Sequence, residues 1–347
     1  MTVTLKDLSQ AIGLSVGTVS RALNDKSEVS PETAARVRQL AEDMGYVPNR
    51  AGRALSAHRN HNTIGVLLPS INAPFFDDIR QGVREAENEF GDLGIDITMR
   101  EVEGWDVSVH LKAIEELRDL GCKALALCTV DDQRIRDYLK EIEASGIPVL
   151  LMNNEIDKVP YLCYVGPDYY MSGVIAGSLV DKCLEGRDVN ALVVIGMEGH
   201  RGHAQRLKGF KKALEHRKNC KLTGVLEGQD NDIITQQVTM EALRQHPEIN
   251  CIYMASGSGV SGLGAAVIAN TARKFFVVAC DEIYSARELV KSDIIDFVIC
   301  QEPQVQGYQA IKILHEYLSM PRISRPANYI VENVIKLKSH FMTTALR

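Results

Sequence analysis

The sequence predicts a small all-α helix-turn-helix headpiece, a short linker, and an α/β body made of two doubly wound parallel-sheet lobes. Three observations lead there. Two short amphipathic runs flank a glycine within residues 4–24, ten apolar runs alternate with amphipathic helical segments from Thr63 onward, and charge is divided unevenly between these regions. The 347 residues, 45% hydrophobic and 24% charged, describe a folded globular chain with more than one packed unit. The net charge of -6 conceals a basic N-terminus: residues 1–60 hold eight Lys or Arg against six Asp or Glu, which leaves about -8 on the remainder. The headpiece is therefore the natural partner of phosphate, and the body is not.

Within the headpiece, Leu5, Leu8, Ala11 and Ile12 recur at helical spacing, Gly13 supplies a turn, and Ser15 is a good N-cap for a second helix with Val19, Ala22 and Leu23 inward. The outer face of that helix carries Val16, Gly17, Ser20 and Arg21. In a helix-turn-helix the second helix enters the DNA major groove, its first residues facing base edges and its hydroxyls and amides facing phosphates. Arg21 has the fork that holds a guanine edge with two hydrogen bonds, and Val16 suits a thymine methyl. Gly17 costs the helix about 1 kcal/mol relative to alanine. Ser30-Pro31 opens a third helix that runs to about Met44 and ends at Gly45, with Val37, Leu40, Ala41 and Met44 inward. Residues 1–46 thus form the headpiece. Residues 47–61 form the linker, which includes a helix-compatible run from Ala51 to Ala57 too short to be stable alone.

The body spans residues 62–347. Its candidate strands are Thr63–Pro69, Asp96–Glu101, Ala124–Cys128, Pro148–Met152, Leu162–Val165, Ala191–Ile195, Lys221–Leu226, Cys251–Ala255, Phe275–Cys280 and Asp296–Cys300. Helices are expected between them, among others over Asp77–Phe90, Asp106–Leu120, Asp132–Ser145, Tyr169–Leu184 and Gln205–Arg217. Repeated βα alternation gives a parallel sheet covered on both faces, and ten strands exceed one comfortable sheet. Two lobes with facing strand ends then form a cleft.

Leu5-Lys-Asp-Leu8, Gly13-Leu-Ser-Val16 and Thr18-Val-Ser-Arg-Ala-Leu-Asn24 resemble the start of the lactose-repressor (LacI-type) family of bacterial transcription regulators. The resemblance extends through the chain, and the body is similar to periplasmic sugar-binding proteins of the ribose type, a type I periplasmic-binding-protein-like fold. It implies a DNA-contacting set of Thr4, Leu5, Ser15, Val16, Gly17, Thr18, Ser20, Arg21, Asn24, Tyr46, Asn49, Arg50, Arg53 and Leu55. It also implies that the linker becomes a hinge helix when two subunits meet on an operator, with Leu55 wedged between minor-groove base steps. The chain is then expected to cross between lobes near Val165, Cys300 and Ser324. Lobe 1 takes about 62–165 and 301–324, helix Glu302–Leu318 included; lobe 2 takes about 166–300 and 325–345, closed by Asn328–Lys338.

For the cleft, Phe75 and Phe76 follow the first body strand, where an aromatic pair stacks on a sugar face or packs into the core. Arg206, Asp281 and Gln301 match the charged and amide ligands of the ribose type, with an Arg206–Asp281 bridge between lobes as the structural alternative. Asn153 and Asn154 stand where related binding proteins carry an acidic-basic pair, and Ser256 and Gly257 where many carry Asn-Asp, so the pattern for ribose is incomplete. Gly257-Ser-Gly-Val-Ser-Gly262 with Asp281 about twenty residues on satisfies a dinucleotide fingerprint formally. That makes a nicotinamide-sensing or dehydrogenase-like protein the competing reading. Against it, such a fingerprint opens the first βαβ unit of its fold, and no Ser/His/Asp or Cys/His catalytic set accompanies it.

Several classes are set aside. The eight cysteines are scattered without a C-x-x-C pair and suit small buried residues in a reducing cytoplasm. No signal-peptide pattern and no apolar run of transmembrane length occur, so no membrane partner is expected. His200 and His203 read as loop residues rather than metal ligands, and no cofactor is implied. Lys336–Arg347 lacks a leucine heptad and so gives no basis for a coiled-coil tetramer. The expectation is a repressor-type, non-enzymatic regulator that binds near-palindromic double-stranded operator DNA as a homodimer and answers to a sugar or polyol.

Overall fold

The computed structural model describes residues 3–23, 29–46, 62–197, 199–319 and 325–342. At the N-terminus, α1 (Leu5–Ile12), α2 (Val16–Leu23) and α3 (Pro31–Asp43) close around a small core of Leu8, Val19, Ala22, Ala34, Val37 and Ala41. Gly13 makes the turn in the left-handed region, φ 74°, and its N–H donates back to the Ser9 carbonyl. Ala11, expected inward, is exposed, while Ile12 and Leu14 pack against the core instead.

The body contains two six-stranded sheets. The first is ordered β11-β5-β4-β3-β1-β2 and uses β1 (Asn62–Ile71), β2 (Ile95–Glu103), β3 (Ala124–Leu127), β4 (Val149–Met152), β5 (Tyr164–Pro167) and β11 (Tyr329–Val331), all parallel. The second is ordered β12-β10-β9-β8-β6-β7 and uses β6 (Val189–Ile195), β7 (Cys220–Glu227), β8 (Cys251–Met254), β9 (Phe276–Cys280), β10 (Phe297–Cys300) and β12 (Val334–Lys336). Only β12 runs antiparallel. Strands β3, β4 and β8 are apolar and buried at every residue, which is what helices on both faces require.

The first sheet is covered on one side by α4 (Phe75–Phe90) and α12 (Pro303–Ser319), and on the other by α5 (Val107–Asp119) and α6 (Gln133–Ala144). The second is covered by α7 (Tyr169–Cys183) and α8 (Arg201–Leu214) on one side. Its other side carries α9 (Asp232–Gln245), α10 (Val260–Ile268) and α11 (Tyr284–Lys291). A short α13 (Lys338–Phe341) follows β12. Asp106, Asp132, Asp168 and Asn231 cap α5, α6, α7 and α9 by accepting from first-turn amides. In these four turns the last residue before the helix fixes with its side chain where the helix starts.

Two boundaries differ from expectation. The expected helix at Gln205 begins at Arg201, a turn earlier, because Gly199 and Gly202 read as loop although Gly202 packs within the first turn. The stretch Asn328–Lys338, expected to close the second lobe alone, is divided. Tyr329–Val331 pairs with β5 in the first sheet and Val334–Lys336 with β10 in the second, so the last crossing lies at Glu332-Asn333 rather than near Ser324, which is outside the described residues. Strands of three residues leave no periodic signal, and β11 exposes Tyr329 and Ile330 as an edge strand does. Asn333 donates to the Asp168 carbonyl at 3.1 Å and ties the last crossing to the first.

Candidate functional site

In the headpiece, α2 presents Val16, Gly17 and Arg21 outward, with Thr18 and Ser20 half-buried beside them. Two hydroxyls act as caps. The Thr4 side chain accepts from the Asp7 amide while the Asp7 carboxylate accepts from Thr4 N at 2.8 Å, and Ser15 Oγ accepts from Thr18 N at 3.0 Å. The Thr4 hydrogen bonds hold the Asp7 carboxyl below its usual value. Leu5 and Tyr46 pack against the headpiece core, so their side chains serve folding first. Asn24, Asn49, Arg50, Arg53 and Leu55 lie outside the described residues. Thr4→Ala is expected to lower headpiece stability by about 1 kcal/mol; thermal melts of the full chain followed by circular dichroism check it, and an unchanged headpiece transition would rule out the cap.

Strand order places the second site. In both sheets the order reverses between the first and third strands, β1 and β3 in one lobe and β6 and β8 in the other, and ligands of doubly wound sheets sit outside the carboxyl ends at that point. Six non-glycine residues with left-handed φ cluster at or just beyond strand ends: Asn72, Asn153, Gln229, Asp230, Asp281 and Glu302. Such backbone is retained where surrounding structure demands it.

The floor of this cleft is a buried polar chain. Arg206, on α8, donates to Asp281 Oδ1 at 3.2 Å and to the Ala255 carbonyl at 3.1 Å, and Tyr169 lies 5.0 Å from its guanidinium carbon. Gln301 donates to Asp281 Oδ1 at 2.5 Å, and Asn153 donates to Gln301 Oε1 at 3.3 Å and to Gln306 Oε1 at 3.1 Å. Asn154 donates to the Thr129 carbonyl at 2.7 Å, and Ser256 Oγ to Asp230 Oδ1 at 2.8 Å. Burial would push the Arg206 guanidinium down, yet the Asp281 carboxylate holds it above the usual arginine value. Arg206 and Asp281 both belong to the second lobe, so their bridge forms within one lobe and not between two. The bridge across the cleft is made instead by Arg201, which meets Glu155 at 3.4 Å and also Asp157.

Phe76 is buried in the first-lobe core, and Phe75 packs partly against it, the two rings edge to face at 5.2 Å. The aromatic contact across the cleft pairs a residue the sequence did not single out with one read only as a loop residue: Trp105, after β2, meets His200 of the other lobe at 5.1 Å. His110 fixes that tryptophan by stacking on it at 5.9 Å, and its ring nitrogens contact Thr129 Oγ1 and the Gly104 carbonyl. The sole tryptophan, directly after a strand, was the available signal. Three covered atoms beside this polar chain have no hydrogen-bond partner among the described residues: Arg206 Nε, Asn154 Oδ1 and His200 Nδ1. A buried polar group left unpaired costs about 1–3 kcal/mol, which marks these atoms as candidates for a ligand's hydrogen bonds.

Burial holds the His200 ring down to about 4 and His203 well below the usual histidine value, with Arg206 adding to both. Their folded values lie below the unfolded one, so as pH falls from about 6.5 toward 4 the unfolded chain binds more protons and stability is lost. The loss is at most about 1.4 kcal/mol per pH unit for each ring. Melts at pH 7, 6 and 5 of the native protein and of His203→Asn should show a shallower acid decline in the variant, and parallel curves would contradict this assignment.

Gly257 and Gly262 of the fingerprint have packing reasons of their own. A Cβ at Gly257 would sit 2.7 Å from Asp281 Oδ2, and one at Gly262 1.9 Å from the Asp232 carbonyl of α9. They follow β8, the third strand of its lobe, whereas the first βαβ unit there is β6-α8-β7.

Comparison with known proteins agrees with this architecture. A family described as Periplasmic binding protein domain matches residues 64–320, and one described as Bacterial regulatory proteins, lacI family, matches residues 4–49. The ribose operon repressor of Halalkalibacterium halodurans is 25% identical over 260 residues, 75% of this chain and 73% of that protein. The transcriptional regulator DegA of Bacillus subtilis is 26% identical over 216 residues, 62% of this chain. Catabolite control protein A of Priestia megaterium is 27% identical over 215 residues. The chain spans 61% of the length of each of these last two. Among solved structures, a glucose-galactose binding protein from Geobacillus stearothermophilus superposes with a TM-score of 0.75 at 18% identity, over 83% of this chain and 100% of that one. A solute-binding protein from Burkholderia graminis in complex with D-arabinose gives 0.76 at 20%, over 81% and 97%. With the three-helix headpiece on one side of the linker and the two-lobed fold on the other, the chain belongs to the lacI family of bacterial regulatory proteins.

Proposed function

We propose that the chain is a sequence-specific DNA-binding transcription regulator of the cytoplasm, a repressor by type, whose affinity for near-palindromic operator DNA is set by a sugar or polyol held between the lobes. The observation that carries this reading is a capped recognition helix with Val16 and Arg21 outward, in one chain with a buried polar cluster at the lobe crossing, three of whose atoms have no partner among the described residues. A homodimer supplies two recognition helices spaced by one DNA turn or a multiple of it, matching the symmetry of the site. Ser15, Thr18 and Ser20 lie along phosphates, Arg21 and Val16 against base edges, and Asn24, Asn49, Arg50 and Arg53 along the backbone. Leu55 is the minor-groove wedge, and unstacking a base step for it costs a few kcal/mol that the bent DNA repays in contacts. Asn153, Asn154, Arg206, Ser256, Asp281 and Gln301, with Phe75 at the entrance, hold the effector. Closing the lobes on it shifts the dimer surface, and a coupling of about 1–3 kcal/mol changes DNA affinity several-fold to about a hundredfold.

Selection of bound duplexes from a random pool, with and without sugars, tests this directly. A two-fold symmetric site whose binding changes with one sugar is expected; selection of no sequence would defeat the reading. Leu55→Ala should weaken binding to the selected site at least tenfold while sugar affinity, measured by titration calorimetry, stays the same.

A further inference from the structure

We infer that α8 begins in an interlobe latch, in which Arg201 and His200 of the second lobe grip two loops of the first, and that Tyr161 and Arg325 brace this latch against the segment leading into the last crossing. The latch limits how far the lobes part through contacts of the chain alone, so it acts whatever the cleft holds.

The first loop follows β4. Its backbone is left-handed at Asn153 and again at Lys158, φ 62° and 59°, two non-glycine outliers that surrounding structure must hold. Between them Ile156 is buried in the first-lobe core, which turns its neighbours Glu155 and Asp157 outward together. Arg201 meets Glu155 Oε2 at 3.4 Å and also Asp157. The other oxygen of Glu155 accepts from Tyr161 Oη at 2.8 Å. Arg325 in turn lies 5.5 Å from the centre of the Tyr161 ring, and its Nε donates to the Leu162 carbonyl at 2.7 Å. The second loop follows β2. Gly104 turns there in the left-handed region, φ 61°, and its carbonyl lies 3.0 Å from His110 Nε2. The same His110 ring stacks on Trp105, which is thereby held edge-on to His200.

Placement makes these contacts a latch rather than two isolated pairs. His200 and Arg201 are consecutive at the start of α8, so one helix end carries both grips. That end is itself fixed: a Cβ at Gly202 would lie 3.0 Å from the Tyr169 ring of α7. The loops it grips belong to β2 and β4, with β1 and β3 between them in the sheet, so a swing of the second lobe about either contact pulls on the other. The side chain of Arg201 is 25% exposed and those of Glu155 and Asp157 32% and 60%. Pairs this open to water are weak singly, which keeps the latch releasable. Tyr161 offsets part of that weakness, since a carboxylate already held in place loses less rotamer freedom on pairing.

Trp105 is the sole tryptophan, so its fluorescence reports the latch directly. The test is acrylamide quenching of the full chain, with no sugar added, for the native protein, for Arg201→Gln, and for the double variant Glu155→Gln with Asp157→Asn. None of these positions lies in the Trp105 loop. Both variants should raise the quenching constant about twofold while their urea midpoints stay at the native value. Arg201→Lys keeps the charge and should return most of the protection, and Tyr161→Phe should fall between native and Arg201→Gln. Arg244→Gln, whose bridge to Glu241 lies within α9, is the control and should match the native protein. If Arg201→Gln loses its urea transition, Arg201→Lys and the carboxylate variant decide by the same criterion. Native quenching in both variants overturns the latch, because the lobes then stay together without the bridge. A rise in one variant alone overturns it too, as loosening confined to the altered loop. Either failure leaves the ligand reading of the cleft as it stands, since no ligand enters the measurement.

Discussion

Asp281→Ala is expected to cost the body about 3–5 kcal/mol of stability, because it strands the Arg206 guanidinium in a buried site without its carboxylate. Loss of the effector response then has two sources, a missing ligand and a distorted floor. Asp281→Asn separates them, since the amide keeps the size and an acceptor for Arg206. Urea denaturation of the three proteins should order them native, Asn, Ala. A double variant with apolar residues at both Arg206 and Asp281 should recover much of the loss, as replaced buried pairs do elsewhere. An Ala variant as stable as the native chain would show that the guanidinium is solvated.

Gly173→Ala is the second change with a large expected effect. Helices α7 and α8 cross so closely that a Cβ at Gly173 would lie 1.9 Å from the Arg206 carbonyl oxygen. That contact is to backbone, so the helices must part. The cost is expected near 3 kcal/mol, at the upper end for an overpacked core, and Arg206 is carried away from Asp281 in the process. Gly82→Ala makes a comparable clash with the Gln304 carbonyl, also at 1.9 Å, where α4 crosses α12. Both variants should lower the urea midpoint, and only Gly173→Ala should also lower sugar affinity strongly. Gly91→Ala is the control: nothing lies within 4 Å of its Cβ and its φ of -56° is ordinary. It should be neutral or stabilising by up to about 1 kcal/mol.

What could be read in the sequence follows from how local each signal is. Strands β3, β4 and β8 announced themselves as short apolar runs between caps, and α5 and α6 through Asp106 and Asp132. The turn at Gly13 needed only its neighbours. Arg206, Asp281 and Gln301 stood out through resemblance, but that they form one hydrogen-bonded chain with Asn153 and Gln306 depends on contacts between residues up to 153 apart. Asp230 was illegible for the same reason. Gly228-Gln-Asp-Asn231 reads as a polar loop, and only the fold brings its carboxylate to Ser256. Phe76 illustrates the reverse: an aromatic before a helix could face a sugar or the core, and only the fold decides for the core.

The third crossing has a consequence for how the molecule is made. The second lobe is almost one continuous stretch, from α7 through β10, and lacks only the short β12 and α13. The first lobe is not. Ala310, Ile311 and Leu314 of α12 belong to its core, and β11 pairs with a strand some 164 residues earlier. A ribosome adding about 5–20 residues per second has made all of the second lobe except β12 and α13 while the first, though begun earlier, still shows an open apolar face. Closure across so long a separation is also slow once the segment emerges. A nascent or truncated product ending before Pro303 would thus carry a second lobe short only of its edge strand and last short helix beside a sticky first lobe without α12.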